Sequence, residues 1–169
     1  MAAAIYGLIG VLLGSATTVV LTVYQERRVS TREREARQHQ REQDREDQRN
    51  AFQRQSLVDL QDAVSDLVKA VFNEQDRMLT EMRQTGIWPA RQWETPTATG
   101  WVDAELRVQV SRARVFDEVL RDIARKIRTL GMKSVWASHG DEAKALSGPL
   151  EQEHERFNEL IANALRKFS

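Results

Sequence analysis

Cysteine is absent from the sequence, which removes disulfides, thiolate metal sites and a cysteine nucleophile. Histidine and proline occur three times each and glycine eight times in 169 residues. That is little material for a metal site or a phosphate-cradling loop. No P-loop or G-x-G-x-x-G is present, and no G-x-S-x-G elbow accompanies the serines. Charge of one sign is missing too: 25 basic side chains face 25 acidic ones. A nucleic-acid-binding domain usually shows a basic excess, so no nucleic-acid partner is expected. No segment alternates as a strand does. The composition therefore predicts an all-α protein that is not an enzyme and carries no cofactor or metal.

What is present begins with one long uncharged run, Ala2 to Tyr24. At about 1.5 Å per residue it reaches about 34 Å as a helix, enough for a hydrocarbon core of about 30 Å. Tyr6 and Tyr24 stand roughly one interface apart, where aromatic rings collect. A cleaved signal would need a basic leader and small residues at a cleavage site, but Met1-Ala2-Ala3-Ala4 has no side-chain cation and no A-x-A pattern follows the apolar run. Residues 1–24 are expected to be a transmembrane helix. Arg27, Arg28, Arg32, Arg34 and Arg37 follow it directly. Basic residues next to a span stay on the cytoplasmic side, so the N-terminus is expected outside and the bulk of the chain in the cytoplasm. Gly10 and Gly14 form a GxxxG, with Gly7 and Ala3 on the same helix face. Small residues let two helices approach closely in lipid. Ala3, Gly7, Gly10 and Gly14 are thus the expected self-association face of a homo-oligomer in the bilayer.

Residues 25–51 form a polar stalk. Gln25 to Asn50 holds eight Arg and seven Asp or Glu, without Pro or Gly. Arg, Glu and Gln favour helix, and pairs such as Glu33–Arg37 and Glu46–Arg49 fall at helical spacing. No side is apolar, so an exposed helix is expected. If it ran on unbroken to Thr85, the two together would measure about 90 Å.

Periodicity changes at Phe52. Leu57, Leu60, Val64, Leu67, Val71, Met78 and Met82 predict an amphipathic helix over about 52–85, weakening where Glu74 and Gln75 replace apolar residues. Thr85-Gly86 with Pro89 marks its end. A second helix is expected over about 103–130. Leu106, Val110, Ala113, Phe116, Leu120, Ile123, Ile127 and Leu130 form its main stripe, and Val108, Val115 and Val119 a second one. Gly131 reads as its stop, although the helix could instead run on to His139-Gly140. Ser147-Gly148-Pro149 opens a third helix, about 149–168, striped by Leu150, His154, Phe157, Ile161, Leu165 and Phe168. The expected domain, residues 52–169, is an antiparallel three-helix bundle.

Trp88, Trp93 and Trp101 crowd the first interhelical loop. They either cap the open end of the bundle or form a partner-contact surface, since Trp is enriched at interaction hot spots. Glu151-x-x-His154 matches one helix's share of a di-iron site. It has no second copy, and His154 on an apolar stripe reads more simply as a core-boundary histidine.

The segments Arg49-Asn50-Ala51-Phe52-Gln53-Arg54-Gln55-Ser56-Leu57-Val58-Asp59-Leu60-Gln61-Asp62 and Trp88-Pro89-Ala90-Arg91-Gln92-Trp93-Glu94-Thr95-Pro96 resemble uncharacterised single-pass membrane proteins of high-GC Gram-positive bacteria. The bias of 20 Arg to 5 Lys fits such a genome. The resemblance implies a membrane setting and supplies no activity. The charged run 26–50 also resembles the peripheral-stalk subunit of rotary ATP synthases in composition, but Gly86-Ile87-Trp88-Pro89 and Ser147-Gly148-Pro149 interrupt the single long helix of that family. Taken together, the expected function is a membrane-anchored helical scaffold or tether that holds a cytoplasmic protein. The alternative is a phage-like lysis or envelope-stress protein with its helical domain outside.

Overall fold

The structure is a computed structural model that describes the backbone of residues 2–89 and 96–168, and the side chains of residues 37–89 and 100–168. It is all-α: α1 (Ala2–Thr85), α2 (Pro96–Arg114), α3 (Glu118–Val135) and α4 (Gly140–Leu165), then a 3-10 turn, Arg166–Phe168. No strand occurs among the described residues. The expected membrane span and its face of Ala3, Gly7, Gly10 and Gly14 fall on residues whose side chains lie outside the described set. Among the described residues, no helix is long and apolar enough to cross a membrane.

The chain divides into two compact units, residues 1–48 and 49–169. The first is helical, and its described side chains, 37–48, are all exposed. An ion pair there joins His39 Nδ1 to Glu42 at 3.8 Å. Between two exposed groups such a pair is worth little.

The second unit is a bundle. From α1, Leu57, Leu60, Val64, Leu67, Val68 and Val71 point into the core. They meet Trp101, Ala104 and Val108 of α2, Leu120, Ile123 and Ile127 of α3, and Leu150, Phe157 and Ile161 of α4. Leu60, Ile127, Leu150, Phe157 and Ile161 are wholly buried. Each such side chain contributes about 1.5–3 kcal/mol by leaving water. Ion pairs tie neighbouring helices at their rims: Arg107 to Asp66 at 2.9 Å, Arg128 to Glu105 at 2.6 Å and Lys126 to Glu153 at 2.5 Å.

Helix α1 ends at Thr85, where Gly86 adopts φ +75° and its N–H donates to Met82 O at 2.8 Å. A side chain is strained at that φ, so glycine suits the stop.

The three-helix expectation is corrected at three places. The expected helix 103–130 is two helices, broken at Val115–Asp117. Asp117 takes an extended conformation, and its carboxylate accepts from Leu120 N at 3.1 Å, starting α3 anew. Second, Gly131 is no stop. Helix α3 runs through it to Val135, and a Cβ at Gly131 would lie 2.9 Å from Val71 Cγ2. This glycine lets α3 close onto α1. Third, the last helix begins at Gly140, with Pro149 inside it. Pro149 cannot donate to the carbonyl of Ala145, but both residues face solvent, where water replaces the lost bond. The start at Gly140 is held from behind by Glu142, which accepts from Ser138 N at 2.8 Å.

Candidate interaction surface

The tryptophans have separate fates. Trp101 is 3% exposed and belongs to the core, so it offers no contact surface. Its indole Nε1 has no hydrogen-bond partner in the protein. Trp88 is half-buried. Its Nε1 donates to Ala137 O at 3.0 Å, and its ring edge would lie 3.0 Å from a Cβ on Gly140. It seals the end of the bundle by joining the segment after α1 to the α3–α4 connection. Trp93 lies outside the described residues. Trp136, which the sequence reading left aside, is 42% exposed.

Below Trp88 the interior turns polar. Glu74 and Gln75 stand where the α1 pattern expects apolar residues, yet both are buried, at 4% and 6% exposure. Burial of polar groups is costly unless they are bonded. Gln75 Nε2 donates to Ser134 Oγ and, at 3.1 Å, to Ala143 O, while Ser147 Oγ donates to Gln75 Oε1 at 3.3 Å. One amide thus joins α1 to α3 and α4. Glu74 accepts two bonds from Arg77, at 2.7 and 3.1 Å, and Arg77 Nη1 donates to Glu81 at 2.8 Å. The hydrogen bond to Glu74 holds the guanidinium further above its ordinary range, with both carboxylates adding to the effect. Gln75 therefore braces α1 against α3 and α4, while Arg77, Glu74 and Glu81 form a network along α1 itself.

His154 sits at the rim of the α4 stripe. Asn158 Nδ2 lies 3.2 Å from its Nε2, and Gln61 of α1 donates to Asn158 Oδ1 at 3.4 Å. Burial pushes the imidazole below its usual value, against a smaller opposing effect of Glu155. Among the described residues, no cluster of three or more His, Asp or Glu is placed to hold a metal.

The two apolar stripes of α2 differ in burial. On the main apolar stripe of the expected second helix, Leu106 and Val110 are 59% and 49% exposed, and Ala113 is exposed with them, while Leu120, Ile123 and Ile127 are buried. Val102, Phe116 and Val119 are also open to solvent. The inward stripe is Trp101, Ala104 and Val108, on the opposite side of the helix. A helix with two apolar stripes does not announce which one is inside. The bulk of Trp101 and the break at Val115 settle it. The Cζ of Arg49 stands 5.4 Å from the Phe116 ring centroid, a cation–π contact that partly shields that ring. Beside this face, an open cleft of about 340 Å³ is lined by Asp66, Lys69, Asn73, Asp103 and Arg107.

These observations define the class: an all-helical protein whose second unit is a four-helix packing with a polar cross-brace and an exposed apolar helix face. No protein-family model matches the chain, and neither a curated protein nor a solved structure is significantly similar to it.

Proposed function

We propose that the protein is a membrane-anchored scaffold or tether that presents its helical bundle to a cytoplasmic protein partner. The observation that carries this reading is the uncharged run Ala2–Tyr24 followed by five arginines within thirteen residues. In this reading residues 1–24 span the cell membrane once, N-terminus outside, and pair with further copies through Ala3, Gly7, Gly10 and Gly14. The resemblance to single-pass proteins of high-GC Gram-positive bacteria agrees with it. A bundle that uses the buried amide of Gln75 to brace its helices, and that leaves large apolar side chains in water, suits binding to other proteins.

The test is a reporter fused after Ser169, read together with membrane fractionation. A cytoplasmic reporter should be active and the chain should stay with the membrane through an alkaline wash. Phosphatase activity at that fusion would place the bundle outside and favour an envelope role. Release by the wash would remove the anchor altogether.

A further inference from the structure

The exposed stripe of α2 invites a specific occupant. Val102, Leu106 and Val110 recur every four residues with Ala113 three beyond, and the first three are 40–59% exposed. Phe116 and Val119 lie just past the helix end and are exposed as well. The exposed parts of the stripe residues make an apolar patch on the order of a few hundred Å², a size that a monomer surface often uses functionally. A standard interface buries roughly 800 Å² per partner, so flanking polar residues would supply the larger share.

The charges along this helix say what fits. Acidic groups, Asp103 and Glu105, lie in its first half, and basic groups, Arg112 and Arg114, in its last half. Asp103 and Arg114 fall on one flank of the stripe, Glu105 and Arg112 towards the other. Both acid–base pairs are centred on the same point, between Val108 and Gln109, with Leu106 and Val110 on either side of it. Turned end for end about that point, the helix meets its own image with acid opposite base and apolar opposite apolar. A parallel pairing would set acid near acid and base near base. Such self-complementarity about a two-fold axis is the property of an isologous dimer. Glu105 is already held by Arg128, Arg107 by Asp66, and Arg112 is half-buried with its Nη1 out of water, which leaves Asp103 and Arg114 as the exposed pair that would form across the axis.

We infer that the bundle unit dimerises through the Val102–Leu106–Val110 face of α2, packed antiparallel against the same face of a second copy, with Asp103 of each opposite Arg114 of the other. This interface is separate from the membrane span and stands or falls without it.

The chain has no cysteine, so a single introduced thiol reports its own neighbours. Gln109→Cys, next to the proposed axis, is placed in the purified full-length chain in mild detergent and oxidised. Lys144→Cys, exposed on α4, is the control. The expected result is a disulfide-linked dimer from Gln109→Cys and little from the control. Adding Leu106→Glu should abolish that dimer, and the exposed position means that helix content by circular dichroism should not change. Adding Asp103→Arg should weaken the cross-link, and Arg114→Asp on top of it should restore it. No cross-link, or one that survives Leu106→Glu because copies meet elsewhere, would overturn the interface. Strengthening by Asp103→Arg would overturn its antiparallel sense. A cross-link found only to a different host protein would overturn the second copy as occupant. Loss of the membrane anchor in fractionation, with the Gln109→Cys dimer intact, would separate the two proposals.

Discussion

Gly131 shows how much one missing methyl can decide. In isolation a helical glycine costs about 1 kcal/mol against alanine. Here the added Cβ would press on Val71 Cγ2 at 2.9 Å, and Val71 is a wholly buried β-branched residue with little room to turn. Overpacking of that kind costs about 1–3 kcal/mol. Gly131→Ala should therefore lower the melting temperature by a few degrees despite its better propensity. Thermal denaturation of Gly131→Ala, Val71→Ala and the double variant should show the two losses to be less than additive, since each relieves the other. His154 makes a second prediction. Its folded pKa is depressed by burial, so the unfolded chain binds the proton more readily. Its contribution to stability is whole above the unfolded value of about 6.5 and is lost as pH falls through the depressed folded value. The melting temperature should fall between pH 7 and pH 5, and His154→Gln should flatten that slope. An unchanged slope in the variant would remove His154 as its source.

At the scale of elements, the break between α2 and α3 was the feature least visible beforehand. Leu106 to Leu130 keeps a helical spacing throughout, and Asp117 reads there as an exposed mid-helix residue. What ends the helix is Gln53, from α1. Its Nε2 donates to Arg114 O and its Oε1 accepts from Phe116 N, both at 3.1 Å. Those two backbone groups are thereby satisfied outside any helix, and Asp117 can cap α3. Gln53→Ala should cost about 1–3 kcal/mol by leaving them unpaired, and Asp117→Ala about 1 kcal/mol as a lost cap. Chemical denaturation would measure both. The two act on one junction, so their sum should not add. Pro149 errs in the opposite direction. It reads as a helix start, but Gly140 begins α4 and Pro149 interrupts it on the solvent side. Pro149→Ala restores a donor to Ala145 O, and proline inside a helix costs about 3 kcal/mol against alanine. The variant should melt higher. A lower melting temperature would mean that the proline shapes a bend the packing needs.

For the whole molecule, the division after Gln48 separates a helical segment, uncharged to Tyr24 and polar beyond it, from a unit with its own core. Among the described residues, the core side chains, Leu57 to Ala164, all lie within residues 49–169. That unit, expressed alone, should unfold in one cooperative transition followed alike by near- and far-ultraviolet circular dichroism. A transition that splits between the two probes would show that the core depends on the preceding residues. The candidate interaction surface belongs to this scale as well. Trp88, Trp93 and Trp101 drew attention because tryptophan is common at hot spots. In the structure, Trp101 is core and Trp88 a seal, while the exposed apolar face is the Val102–Leu106–Val110 side of α2.

Helical class, the polar character of residues 25–50 and the stop at Gly86 were determined by local chemistry alone: good helix formers, charges on every side, and a backbone angle that favours glycine. The uncharged run and its arginine flank are likewise properties of the chain itself. Tertiary structure decided the rest, because each remaining question had two locally equal answers. Either apolar stripe of α2 could have faced inward. Gly131 could have stopped a helix or let two meet. Gln75 could have ended the α1 seam, but Ser134, Ala143 and Ser147 supply bonds that allow it to be buried. Such choices depend on which partner stands across the gap, and that partner lies up to some seventy residues away in the sequence.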